Sequence, residues 1–341
     1  MARVVTLYNN KGGVSKTTTL FNLAVYLSLH GKRVLIADCD PQCNATELFF
    51  SSSDTYSEPN VELPGTSVYQ ALLPRFKGEA KTIDPDAISL VTSELYPRLS
   101  LLRGDLEFSS AENYFGTAWN QSITENINEK NTYVVMHRML RSLASHYGYD
   151  YVLCDVGPST GAISRTVMLA SDGFILPLTP DRFCYQAVRV LGTIIREWMN
   201  RHDEIIKTFQ PYGVDTFPGN PMLFGAVIQN FKMHGGKVKE SYTKWQEKIS
   251  ESISSDLLGG NGVTAGPKCN PKSPYVANMR DVGPLAPVAQ MFGRAIFDIQ
   301  QEHTEAASSG GNKYYGVVWA NWVERMHEYE EQISSLAEAI Q

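Results

Sequence analysis

The stretch Tyr8-Asn9-Asn10-Lys11-Gly12-Gly13-Val14-Ser15-Lys16-Thr17-Thr18 limits what this chain can fold into more than any other. It follows an apolar run, Arg3 to Leu7, that reads as a buried parallel strand. It leads into a segment that puts Leu20, Leu23, Ala24 and Leu27 on one helical face. Strand, glycine-bearing turn and helix in that order predict a doubly wound α/β fold, with a mostly parallel sheet and helices on both faces. A helix start carries unpaired N–H groups and partial positive charge, so the turn ahead of it suits an anion. Gly12 and Gly13 let the backbone curl around a phosphate with no side chain in the way. Lys16 would then reach the β- and γ-phosphates, and Thr17 would offer its hydroxyl to Mg²⁺.

The usual phosphate-loop pattern, G-x-x-x-x-G-K-[ST], is not met in full. Asn10 stands at the first glycine and Ser15 at the second. If the loop needs a positive φ at Ser15, serine there costs about 1 kcal/mol. A second lysine, Lys11, precedes Lys16 in the spacing K-G-G-x-x-K-T-T. This spacing resembles the deviant Walker A loop of the ParA/MinD family of dimerising ATPases. The resemblance implies ATP and Mg²⁺ bound at Gly12, Gly13, Val14, Ser15, Lys16, Thr17 and Thr18. It also implies an ATP-dependent homodimer in which Lys11 crosses to the partner's nucleotide.

Composition agrees with a globular protein. Of 341 residues, 43% are hydrophobic and 19% charged, enough for a sizeable core. No run of eighteen apolar residues predicts a membrane span, and the chain enters a strand with no basic leader, so a cytoplasmic location without membrane partners is expected. The formal charge of −6 argues against wholesale coating of nucleic acid, though not against a local basic patch. The five cysteines form no C-x-x-C pair, and Cys39 and Cys154 are expected to be small buried hydrophobes.

Two further strands end in acids. Residues 32–38 lead into Asp38-Cys39-Asp40-Pro41-Gln42-Cys43-Asn44, which resembles the D-x-D-P-Q-x-N segment of ParA proteins. By that resemblance Asp40 orients the attacking water and Asp38 supports the Mg²⁺ shell. Residues 149–155 form an apolar strand ending in Asp155, the Walker B arrangement, and Asp155 would hold Mg²⁺ through water. Val156-Gly157-Pro158-Ser159 then reads as a switch loop beside the γ-phosphate.

Elsewhere the expectations are a short helix at 67–73, a strand at 99–102, a helix at 161–170, a strand at 173–178, a helix at 183–201 and a strand at 224–230. Ser51 to Asp54 and Glu58 to Asn60 read as loops. Residues 109–130 look polar and loop-rich, an insertion or mobile cover, and residues 259–275 read as a loop. In relatives an amide at the end of the 224–230 strand reads the adenine edge. Gln229 or Asn230 would serve, since an amide offers donor and acceptor together. Lys232, Lys237, Lys239, Lys244 and Lys248 form either a non-specific DNA surface or an ordinary solvated face. The last helix, near 317–340, carries an apolar stripe (Trp319, Trp322, Val323, Met326, Ile333, Leu336, Ile340) opposite an acidic face, which predicts docking on the domain rather than on a membrane.

The reading as a whole is one phosphate-loop ATPase domain over 1–341, with insertions near 50–98, 109–130 and 203–219. It is similar to ParA-like partition ATPases that lack an N-terminal helix-turn-helix. The resemblance implies slow hydrolysis stimulated by a ParB-like or adaptor protein, and non-specific DNA binding by the ATP dimer. The alternative is an ATP-dependent regulatory switch acting on a protein partner without DNA. A small-molecule ligase of the same superfamily would need a substrate pocket for which no motif is present.

Overall fold

The computed structural model describes the chain apart from residues 54–60, 80–82, 232, 235–236, 239 and 261, with backbone alone at 230–231, 233–234, 237–238 and 240–241. The loop expectation at Glu58 to Asn60 and the side chains of Asn230, Lys232, Lys237 and Lys239 therefore lie outside the described residues.

One sheet organises the molecule. Its strands are β1 (Arg3–Leu7), β2 (Val34–Asp38), β3 (Val91–Thr92), β4 (Leu99–Leu102), β5 (Tyr151–Asp155), β6 (Gly173–Leu178) and β7 (Met222–Phe231). A short ribbon, β8 (Met233–His234) with β9 (Lys237–Val238), lies apart from it, and β10 (Tyr275–Arg280) completes it. The order is β10-β7-β6-β1-β5-β2-β4-β3. β3 runs antiparallel to β4, and the other pairings in this sheet are parallel. The chain leaves central β1 for β2 on one side and later returns to build β6 on the other. That reversal opens a crevice at the carboxyl ends of β1 and β5.

Successive strand residues face opposite sides, so each strand feeds two cores. Val4, Leu35 and Ala37 join α3 (Val68–Phe76), α4 (Ala111–Gln121), α5 (Ile127–Tyr147), α6 (Ala162–Ala170), α7 (Arg182–Ile206) and α8 (Glu240–Ser252). Val5, Leu7, Val34 and Ile36 join α1 (Lys16–Leu29), α2 (Asn44–Phe50), α9 (Leu285–Met291) and α10 (Gly316–Ala339). Burial on both faces is why these strands are apolar throughout rather than alternating.

Residues 109–130 correct the sequence expectation. They hold α4 and the start of α5, not a loop-rich cover. Ala111, Phe115 and Ala118 repeat at helical spacing and are buried, while the many polar residues between them hide that period. The 21 residues of α5 were not anticipated either. β10 escaped because it pairs on one side alone and its burial is irregular. The final helix packs on α1 and β10, with Trp322, Met326, Ile333 and Leu336 buried. Val323 departs from the expected stripe and is 44% exposed. Among the described residues no helix is long and apolar enough to cross a membrane.

Candidate functional site

The loop after β1 is pinned at both ends. The Tyr8 N–H donates to the Ile175 carbonyl at 3.0 Å, the last sheet bond of the strand. Asn9 then ties the turn to the end of β6: its Nδ2 donates to the Pro177 carbonyl at 2.7 Å, and its Oδ1 accepts from the Lys11 N–H at 2.9 Å. Gly13 has φ +72° and Ser15 φ +56°, so the positive φ suspected at Ser15 is present. The first helical bond closes from the Thr19 N–H to the Ser15 carbonyl at 3.0 Å. A methyl group built on Gly13 would meet nothing within 4 Å, because the residue opens on a cleft of about 520 Å³. Gly12 to Thr18, Asp40, Gln42, Glu47, Pro158 and Gln290 are among the residues lining it.

The floor of the cleft concentrates charge. Lys16 is 7% exposed, and its Nζ donates to the carbonyls of Asn9 and Lys11 at 3.3 Å each. Burial pulls its ammonium pKa down, and the charges of Asp155 and Asp40 oppose that pull. The Thr17 hydroxyl donates to Asp155 Oδ2 at 2.7 Å. The other oxygen of Asp155, Oδ1, is buried with no hydrogen-bond partner among the described residues. Burial, then the neighbouring charge of Asp38, push the Asp155 carboxyl well above the usual range, and the Thr17 bond and Lys16 offset only part of this. Asp38 stands beside Asp155 in register across β2 and β5. Its Oδ2 accepts from the Thr46 N–H at 2.8 Å and hydroxyl at 2.6 Å, and its Oδ1 accepts from the Asp40 N–H at 3.2 Å. Three carboxyl groups crowd around one buried ammonium, and burial holds Asp38 and Asp155 toward their protonated forms; a small divalent cation would favour their ionised forms. Among the described residues no group of three or more His, Cys, Asp or Glu is arranged to hold a metal ion by itself. A Mg²⁺ bound here would draw its remaining ligands from water and phosphate, as that ion commonly does.

Asp40 begins an Asp-Pro turn. Its Oδ1 accepts from the Gln42 N–H at 3.0 Å, and its carbonyl accepts from the Cys43 N–H at 2.9 Å. A Cβ at Gly157 would stand 3.1 Å from Asp40 Oδ1, so glycine is what lets the 156–159 segment come this close. Lys11 points away from the cleft floor. Its Nζ donates to Asp181 Oδ2 at 2.6 Å and to the Thr179 hydroxyl at 2.9 Å, and lies 3.6 Å from Cys184 Sγ. Burial depresses the Lys11 ammonium, but the Asp181 hydrogen bond and the charges of Cys184 and Asp181 outweigh it and raise the pKa. Burial raises Asp181 in turn, and Lys11, Thr179 and the Cys184 N–H bring it below the ordinary carboxylate value. Asp181 Oδ1 also caps α7, accepting from the Cys184 N–H at 2.9 Å.

The structure thus gathers Gly12, Gly13, Val14, Ser15, Lys16, Thr17, Thr18 and Asp40 at one cleft, with Asp38 and Asp155 beside it. Gln229 is not among the residues that line it. This amide is 2% exposed, and its Nε2 donates to Thr19 Oγ1 at 2.7 Å, between β7 and α1. Sequence reasoning overlooked three contributors. Asp181 was visible as a helix cap, since Thr-Pro-Asp precedes a helical run, but its pairing with Lys11 spans 170 residues of sequence. Asn9 and Thr46 carried no signal beyond their neighbourhood.

A family model described as an AAA domain, AAA_31, matches residues 2–208. The chain is similar to the sporulation initiation inhibitor protein Soj of Bacillus subtilis, 28% identical over 196 residues, which cover 58% of this chain and 66% of Soj. It is similar to the chromosome partitioning protein ParA of Caulobacter vibrioides, 27% identical over 285 residues, which cover 82% of this chain and 93% of that protein. In fold it resembles a variant of McdA from Cyanothece solved as an ATP complex, with a TM-score of 0.58 at 16% identity, covering 98% of this chain and 96% of that one.

Proposed function

The chain belongs to the AAA_31 family and to the ParA/MinD type of partition ATPase, and from that kinship we propose that it binds and hydrolyses ATP with Mg²⁺ and dimerises around the nucleotide. The observation that carries this is that Lys16 and Thr17 line the cleft while the Thr17 hydroxyl donates to Oδ2 of Asp155, whose other oxygen, Oδ1, is buried without a hydrogen-bond partner among the described residues. A phosphate chain would lie in the backbone N–H groups of Gly13 to Thr18, against Lys16. Mg²⁺, when bound, neutralises phosphate charge; Thr17 and Asp155 would hold it, with Asp38 setting the geometry behind them through its bonds to Thr46 and Asp40. Asp40 would align the attacking water. Hydrolysis would be slow until a partner protein stimulates it. The whole chain would work as one ATPase unit, with the segments near 50–98, 109–130 and 203–219 as family-variable additions. The DNA-positioning role would rest on a basic surface near α8, where Lys244 and Lys248 are exposed.

Lys11 would serve the partner subunit's phosphates, as an arginine finger does elsewhere. To do so it must leave Asp181. This pair is partly exposed, 28% and 36% for the two side chains, so its rupture costs about 1 kcal/mol or less. Asp181→Asn keeps the helix cap and removes the charge. It is expected to lower the ATP concentration that half-saturates dimer formation by up to about fivefold. An unchanged midpoint in light scattering would show that the pair does not restrain Lys11.

Gly13→Ala probes the cradle. Alanine at positive φ costs about 1 kcal/mol of stability. Its methyl group would enter the space assigned to phosphate, so ATP affinity is expected to fall by about tenfold or more, beyond what the melting temperature reports. The decisive experiment for the whole reading is sizing the protein with ATP, with ADP and without nucleotide. A monomer under all three conditions refutes the dimer. DNA retention with ATP at low salt separates the positioning role from that of a regulatory switch without DNA.

A further inference from the structure

A second cleft, of about 620 Å³, opens along α5 between the end of α3 and the segment that follows α7. It shares no lining residue with the phosphate-loop cleft. A neighbouring hollow shares its His137 and Arg141 and reaches Arg3 and Met222, at the starts of β1 and β7. This side of the molecule is therefore the end of the sheet opposite Lys16.

Its cations are unusual for a chain of net charge −6. Arg75, from the last turn of α3, is 6% exposed. One terminal nitrogen donates to Asn128 Oδ1, and its Nε has no hydrogen-bond partner among the described residues. Arg138 donates to Asn131 Oδ1 at 3.2 Å, and its ion-pair partner, Asp215, is 3.9 Å away with a side chain 97% exposed. Arg141 is committed to Asp172 and to the Ala2 carbonyl. Beneath Tyr212 sits fully buried Lys130, its Nζ 4.8 Å from the ring centroid. That ammonium bonds to the Ser122 carbonyl and the Thr208 hydroxyl. His137 is pulled down to about 4, chiefly by burial and then by Arg141, with Asp172 opposing and Arg138 adding to the fall. Glu129 is the carboxylate that offsets part of the burial of Arg75.

A buried guanidinium with an unused N–H loses hydration that nothing repays, unless a ligand pairs with it. Guanidinium forks match the oxygens of phosphate, and Arg75 and Arg138, the two lining arginines not committed to Asp172, suit a phosphoryl group. The rest of the wall is apolar at Val135, Val214 and the face of Tyr212, and the volume suits a small molecule. We propose that this cleft is a second ligand site, for a small organic phosphate whose phosphoryl group is held by Arg75 and Arg138 and whose apolar part lies along Val135 and Tyr212. The proposal is independent of the ATPase reading.

The test uses the full chain carrying Lys16→Ala, so that the phosphate loop contributes no competing site. Phenyl phosphate, inorganic phosphate and benzoate are titrated by calorimetry. One-to-one binding of phenyl phosphate is expected, several-fold tighter than inorganic phosphate and tighter than benzoate. Adding Arg138→Gln, or Arg75→Lys, which keeps the charge but not the fork, is expected to weaken it by about tenfold. Arg138 is partly exposed, so its variant decides the matter if the Arg75 variant misfolds. Arg138→Gln alone is expected to leave ATP binding at the loop unchanged. Absence of saturable phenyl phosphate binding below about 10 mM would overturn the assignment. So would binding indifferent to Arg138→Gln, or tighter binding of benzoate.

Discussion

Lys16→Ala is expected to abolish ATP binding, weakening it by at least about a hundredfold, roughly 3 kcal/mol. The size follows from the setting of this ammonium. It is almost wholly buried and already desolvated, its nearest hydrogen-bond partners are two neutral carbonyls, and the carboxylates of Asp155 and Asp40 act on it only through space. A triphosphate would therefore be its first direct anionic partner, met in a region where charge is weakly screened. The substitution also removes the cation that opposes the buried carboxylates, so the melting temperature should drop as well. Binding must accordingly be measured below the new transition, by titration with a fluorescent ATP analogue. An affinity within about threefold of the parent protein would remove the loop from the nucleotide site.

Asp40→Ala is expected to separate binding from turnover. Affinity for ATP should change little, because the lysine, the glycines and Thr17 stay in place. Turnover should fall by about a hundredfold to a thousandfold, the usual contribution of a positioned general base or water-orienting group. Dimer should then accumulate with ATP, since hydrolysis no longer resets it. Asp40 also organises its turn by accepting from the Gln42 N–H, so alanine alone cannot tell chemistry from structure. Asp40→Asn keeps an acceptor for that bond and lacks the negative charge. Loss of turnover in both variants supports the water-placing role. Restored turnover in the asparagine variant would mean that Asp40 builds the turn and nothing more.

Much of this molecule was legible from local signals. A buried strand, a glycine turn and a helix are each set by residues close in sequence, and they place the phosphate loop; the positive φ at Ser15, which the sequence raised only as a condition, is seen in the structure. Strand-end acids were equally readable, because a carboxylate at the end of a buried apolar run is costly unless a cation or hydrogen bonds meet it there. What was hidden depended on edges and on polar surfaces. β10 pairs on one side alone and alternates only over its last four residues, and α4 carries its apolar period among Glu112, Asn113, Thr117, Asn120 and Gln121.

The sequence by itself determined the two-sided sheet, the loop and the order of its acids, since backbone preference and apolar spacing act over a few residues. Tertiary structure alone decided where the charged side chains end. It paired Lys11 with Asp181, turned Gln229 inward to Thr19 and left Arg75 beside a second hollow. The physical reason is that a long side chain chooses its partner among groups brought near by folding, at separations of 170 and 210 residues in the first two cases, and no local pattern records that choice.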